Sequence, residues 1–129
     1  MQIPQDRWLP IKDTRITPEG RWESSVRFGP SSEWFSGHFD ESPLLPGVAI
    51  LALAVETVKR QGGELGRALM VFGFSGVRFK RLVFPDEELY VSVMGMAPGS
   101  EASLDFHVTC HGETVAQGIL KAKEERPRE

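Results

Sequence analysis

The sequence predicts an α+β fold in which an antiparallel sheet of five to six strands wraps around one long central helix. Three observations lead there. One stretch, 47–61, reads as a helix whose first half is apolar on every side. The segments around it alternate apolar and polar residues with the period of a strand. Short Gly- and Pro-marked connections separate those segments, as expected of strands paired antiparallel with their neighbours.

The helix is the clearest element. Pro43 and Pro46 punctuate its approach and Gly47 opens it. The run Val48-Ala49-Ile50-Leu51-Ala52-Leu53-Ala54-Val55 has no polar face, so it is expected to be buried all round. A short buried strand is the competing reading, and the alanines favour helix. Lys59 and Arg60 suit the negative end of the helix dipole, and Gly62-Gly63 is read as the stop.

Before the helix, Arg21 to Phe28 alternates as a strand. After it, Leu69 to Phe74 and Val77 to Val83 are β-forming, with a bulge or bend expected near Gly73 and Gly76. In Glu88 to Met96, Leu89, Val91 and Val93 oppose Tyr90, Ser92 and Met94, and Pro98-Gly99 marks a turn. Leu104, Phe106 and Val108 alternate with Asp105, His107 and Thr109. His111-Gly112-Glu113 then reads as a hairpin turn into Thr114 to Lys121, and Glu124 to Glu129 as a frayed tail. One domain over 1–129 accommodates all of this.

Composition excludes several classes of function. Hydrophobic residues make up 40% of the chain, enough for one core, and 15 basic against 18 acidic side chains give a formal charge of −3. Nucleic acid and anionic membrane both call for a concentrated positive field, so neither is expected as a partner. Cys110 is the only cysteine, which rules out an intrachain disulfide and suits a reducing compartment. The N-terminal residues do not read as a signal peptide, and the longest apolar run, Val48 to Val55, is too short to span a bilayer. A cytoplasmic location is the expectation.

Three segments in order carry a resemblance. Trp34-Phe35-Ser36-Gly37-His38-Phe39-Asp40-Glu41-Ser42-Pro43-Leu44-Leu45-Pro46-Gly47-Val48 is similar to a Gly-His-Phe … Pro-x-x-Pro-Gly-Val signature. Val77-Arg78-Phe79-Lys80-Arg81-Leu82-Val83-Phe84-Pro85 is similar to a basic-Phe-basic-basic strand ending in Pro, and His111 to Ala116 to a last hairpin. Together they resemble the β-hydroxyacyl-acyl-carrier-protein dehydratases of the FabA/FabZ type, over roughly residues 20–122. The resemblance implies a hotdog fold, a homodimer or dimer-based hexamer, and an acyl thioester carried on acyl carrier protein or coenzyme A. No cofactor is implied beyond the phosphopantetheine that carries the substrate.

Dehydrating a 3-hydroxyacyl thioester needs a base for the α-proton, donors for the enolate oxygen and an acid for the departing hydroxyl. The resemblance implies His38 as base and the Gly47 amide as oxyanion donor. Imidazole titrates near working pH, and the free N–H groups of a helix start carry positive dipole. The family's acidic partner lies fourteen residues after the histidine, where this chain has Ala52. Glu56, one helical turn later, is the candidate replacement; Asp40 and Glu41 beside His38 are others. Phe39, Pro46, Val48 and Ala52 are assigned to substrate binding, with Phe39 also suited to core packing and Pro46 to fixing loop shape with Pro43. A non-catalytic module that binds acyl thioesters or carrier protein, and a hotdog thioesterase, are the alternatives.

Other features divide between bland and functional readings. Arg78, Lys80 and Arg81 fit carrier-protein docking or a solvated strand face equally well. Leu51, Leu53 and Phe74 would line an acyl tunnel or pack a core. Trp8, Trp22 and Trp34 suit packing. His107, Cys110 and His111 raise a metal site, but in a strand residues 107 and 111 share a face that Cys110 opposes, so none is expected. Cys110 reads as a small buried hydrophobe.

Overall fold

A computed structural model describes residues 9–35, 44–94 and 101–125. In chain order they form β1 (Ile11–Ile16), β2 (Arg21–Arg27), a single 3₁₀ turn (Glu33–Phe35), α1 (Gly47–Glu64), β3 (Leu69–Phe79), β4 (Glu88–Met94), β5 (Ala102–Cys110) and β6 (Glu113–Glu124). The six strands make one sheet in the order β1-β2-β4-β5-β6-β3, with every neighbouring pair antiparallel. α1 packs on one face of that sheet. No helix among the described residues is long and apolar enough to cross a membrane.

Strand alternation decides which side chains meet the helix. Trp22, Ser24 and Val26 of β2, Leu89, Val91 and Val93 of β4, and Leu104, Phe106, Val108 and Cys110 of β5 are all buried. Against them α1 sets Ile50, Leu53, Ala54, Thr57, Val58 and Gln61, the recurrence of one helical face. Phe74 meets Phe106 edge-to-face, with ring centroids 5.7 Å apart. Within this apolar layer the Thr57 hydroxyl donates to the Leu53 carbonyl at 2.8 Å. Its single proton is thereby used, so Ser24 donates the 2.6 Å bond between the two hydroxyls and ties β2 to α1.

Three expectations about the helix are corrected. It is not enclosed on every side: Val48 is 62% exposed, and Leu51, Ala52 and Val55 are only half-buried, so a stripe faces away from the sheet. An apolar run specifies a helix that wants covering, while this chain supplies one layer of cover. Nor does the helix stop at Gly62-Gly63. It continues to Glu64, and the stop is Gly66, at φ +71°. Arg67 N–H donates to the Gly62 carbonyl and Gly66 N–H to the Gly63 carbonyl, the paired bonds of a Schellman ending. Gly62 serves closeness instead, since a β-carbon there would lie 2.9 Å from the Leu69 side chain. Lys59 and Arg60 therefore sit before the last turn, where they flank Glu56 rather than the helix end.

The strands bring further corrections. β1 was missed because its sequence, IKDTRI, lacks strand alternation strong enough to read. The two segments after the helix form one strand, β3, whose register slips between Val71 and Gly73 and between Ser75 and Arg78. The bulges expected near Gly73 and Gly76 are there, but the strand ends at Phe79, and Lys80 to Val83 lie outside it. Glu124, expected in the tail, pairs with Leu69 in the sheet and binds Arg67; Glu125 N–H donates to the Ala68 carbonyl. His111 and Gly112, with φ of 50° and 78°, make a two-residue hairpin turn between β5 and β6, while Glu113, expected in the turn, opens β6 and pairs with Cys110.

Candidate functional site

The start of α1 is built from Pro46 and Gly47. Pro46 adopts φ −66° and ψ 150°, the extended conformation of a residue just outside a helix, and has no side-chain group to cap it. Its carbonyl accepts from the Ala49 N–H at 3.0 Å. Among the described residues nothing accepts a hydrogen bond from the Gly47 N–H. That amide is one of the donors a helix leaves over at its positive end. The approach to the helix is fixed by Leu45, whose N–H donates to the Val83 carbonyl at 2.9 Å. His38, Phe39, Asp40, Glu41 and Pro43 lie outside the described residues.

Phe79, to which sequence reasoning gave no role, stands over this helix start. A β-carbon built on Gly47 would fall 2.9 Å from the ring's Cζ and 3.2 and 3.3 Å from Cε1 and Cε2. The tip of the ring thus occupies the space a side chain would need, so a larger residue at position 47 would require this half-exposed ring to turn aside. Phe79 is 51% exposed, as are Val48, Leu82 and Phe84 in comparable degree. The Leu45–Val83 bond ties the approach to the helix to the segment that carries Leu82 and Phe84, and among the described residues Phe79 is the side chain set against Gly47.

Further along the helix, Ala52 lies on the uncovered stripe with Val48 and Val55. Glu56 lies at the border of that stripe and is only 8% exposed. Its carboxylate accepts from Arg60 Nε at 3.2 Å and approaches Lys59 Nζ at 3.9 Å. Leu53 is wholly buried against the sheet, while Leu51 and Phe74 are partly buried beside the core. Trp22 is buried and Trp34 packs against the core; Trp8 lies outside the described residues.

The three basic residues after the helix separate in the structure. Arg78 and Lys80 are exposed. Arg81 instead grips Glu87 through two parallel bonds, Nη1–Oε1 at 3.1 Å and Nη2–Oε2 at 2.8 Å, and approaches Glu113 at 3.5 Å. Glu87 also accepts from the Phe84 N–H at 2.9 Å. The guanidinium above all, then the backbone donor, hold its carboxyl down at about 2. This latch ties the segment after β3 to the start of β4.

The latch also corrects the geometry expected for the histidines and Cys110. His111 occupies the hairpin turn, where strand alternation no longer applies, and its Nε2 lies 3.6 Å from Glu87 Oε2. The Cys110 thiol points to the same oxygen at 3.7 Å, so Cys110 and His111 converge while His107 turns to Thr114 Oγ1 at 2.8 Å. Glu87, Cys110 and His111 thus present three metal-type donor atoms within 4.8 Å of one another. Arg81 already holds both oxygens of that carboxylate, and burial pushes the Cys110 thiol up. The chemistry of the cluster is that of an ion-pair latch. A cavity of about 760 Å³ lies elsewhere again, on the outer face of β1, β2, β4 and β5, and none of the residues expected in the site lines it.

Comparison with known proteins agrees with this architecture. The family described as ApeI-like (ApeI dehydratase) matches residues 14–119. The chain is 35% identical over 116 residues to the 3-hydroxyacyl-[acyl-carrier-protein] dehydratase FabZ of Actinobacillus succinogenes, covering 79% of this chain and 73% of that protein. The FabZ of Chromobacterium violaceum is 30% identical over 115 residues, with 79% and 77% covered. Among solved structures, the dehydratase heterocomplex ApeI:P from Xenorhabdus doucetiae superposes with a TM-score of 0.68 at 22% identity, over 88% of this chain and 96% of that one. A putative thioesterase, yhdA, from Lactococcus lactis gives 0.77 at 12% identity, over 98% and 100%. At such identities the structures establish a shared hotdog fold, and the sequence matches go further: the chain belongs to the ApeI-like dehydratases, of the FabA/FabZ type.

Proposed function

We propose that this protein dehydrates 3-hydroxyacyl thioesters. His38 takes the α-proton, and the Gly47 amide receives the enolate oxygen. Glu56, the nearest carboxyl along the helix from Ala52, protonates the departing hydroxyl. The observation that supports this most directly is the uncapped Gly47 amide at an apolar helix start, in a chain of dehydratase family. Such a donor stabilises charge that develops in the transition state without reorganising. Pro46, Val48, Ala52 and Phe39 contact the acyl thioester in this reading. Because Glu56 is engaged by Arg60 and Lys59, proton delivery is slower than from a carboxyl at position 52. General acid assistance is typically worth about 10²–10⁴-fold, so a weakened acid lowers the rate without abolishing it.

The substrate is carried by acyl carrier protein or coenzyme A, and Arg78 and Lys80 are the exposed cations available to dock an acidic carrier; Arg81 is held by Glu87. The working unit is a homodimer or a dimer-based hexamer. The uncovered stripe of α1 and the edge position of β3 in the sheet support that.

The test is incubation of the protein with 3-hydroxyacyl thioesters of several chain lengths on both carriers, following enoyl absorbance and free thiol. Enoyl product that disappears in His38→Ala is the expected result. Free thiol without enoyl product would replace the reading with thioester hydrolysis. Ala52 specifically favours one other reading, a module that binds acyl thioesters or carrier protein without turnover. Saturable binding with no product of either kind would establish it.

A further inference from the structure

We propose that Phe79 is a specificity-determining residue that limits the bulk accepted beside the thioester carbonyl; this rests on the reading that Gly47 holds the thioester oxygen. Among the described residues outside the helix, the three atoms closest to where a β-carbon on Gly47 would stand are Cζ, Cε1 and Cε2 of Phe79. A carbonyl oxygen bound to the Gly47 amide brings the carbons next to it within van der Waals reach of the same ring. The backbone beneath the ring is anchored. Phe79 pairs with Ala116 of β6, and Lys80 N–H donates to the Val115 carbonyl at 2.7 Å. Only side-chain rotation could move the ring aside. Being half exposed, Phe79 is not needed to fill the core, yet its ring tip lies against Gly47, the first residue of the helix. Val48, Leu82 and Phe84, all exposed, complete an apolar rim that welcomes an acyl chain and leaves Phe79 to set its width.

The experiment compares wild type, Phe79→Leu and Phe79→Ala on 3-hydroxyacyl thioesters of one chain length, with and without a methyl group on the α-carbon. The kcat/KM ratio is measured, together with binding of the matching amide analogues, in which nitrogen replaces the thioester sulfur. One methylene-sized group is typically worth about 10–200-fold in a close-fitting pocket, so wild type is expected to prefer the unbranched substrate by at least about tenfold. Phe79→Ala is expected to bring that ratio to about threefold or less, with Phe79→Leu between them. A ratio unchanged in Phe79→Ala, with the far-UV spectrum intact, overturns the proposal. If wild type turns over neither substrate, the dehydratase reading fails instead, and the binding ratio of the amide analogues alone decides the role of Phe79.

Discussion

The two ends of α1 are finished in opposite ways. At the Gly66 end, backbone bonds from Leu65, Gly66 and Arg67 satisfy the last carbonyls, and Leu69 packs against Gly62. At the Gly47 end a proline without a capping group leaves the first amide with no acceptor among the described residues, beneath a half-exposed aromatic ring. A helix whose only task was structural would gain about 1 kcal/mol from a Ser or Asp cap at position 46. Without such a cap that stability is forgone, and under the proposed function the first amide serves the substrate instead. One end is closed by backbone bonds, and the other is the end to which the proposed chemistry is assigned.

That contrast can be broken most severely at the amide itself. Gly47→Pro removes the N–H while placing proline at the first helical position, where its ring is well tolerated. Introduced beside Phe79→Ala, which clears the space, it is expected to lower kcat for dehydration by about 10²–10³-fold relative to Phe79→Ala alone, with helix content unchanged by circular dichroism. Equal rates in the two variants would mean the amide takes no part.

The Arg81–Glu87 latch, which fixes the segment after Phe79, comes next. Glu87 has its folded pKa depressed to about 2 from an ordinary 4.5. Its contribution is therefore complete above about pH 4.5 and is lost as pH falls through 2, and it amounts to about 3 kcal/mol. Glu87→Gln is expected to lower stability at pH 7 by that order and to flatten the acid limb of a denaturation profile between pH 4.5 and 2. A mutant profile parallel to that of wild type would assign the acid sensitivity to other groups.

At the closed end of the helix, Gly66→Ala forces a β-carbon into a left-handed conformation and is expected to cost about 1–2 kcal/mol in chemical denaturation, with kcat/KM unchanged. A loss of activity at constant stability would show that the two ends are coupled. The smallest effect is expected in the layer between them. Thr57→Val deprives the buried Ser24 hydroxyl of its acceptor and should lower stability by about 1 kcal/mol. Ser24→Ala in the same background should recover part of it, and no recovery would mean that Ser24 finds another partner.

Much of this architecture is written locally. The alanines of Val48 to Val55 favour helix over a buried strand, and the alternation of Leu104, Phe106 and Val108 fixes which face of β5 is buried. The motif running from His38 to Val48 announced the family before any coordinates, and the likeness to FabZ bears it out. Misreadings fell where one residue type serves two purposes. Gly62 and Gly66 look alike in sequence, but one gives room to Leu69 and the other turns the chain. The candidate site was legible in part. Gly47 and Ala52 are named as candidates by their position in the motif, while the approach of the Phe79 ring to Gly47 is not legible because nothing nearby in sequence links it to a residue thirty-two positions earlier.

Sequence alone determined the periodicities, the turn at His111-Gly112 and the chemical types available at positions 38, 47, 52 and 56, because each depends on neighbours within a few bonds or one helical turn. Only the tertiary structure decided that Arg81 is held by Glu87, that Cys110 and His111 meet the same carboxylate, and that the Phe79 ring covers Gly47. Those are contacts between distant segments. They depend on the sheet order and on the bulged register of β3, which brings the end of that strand to the start of the helix.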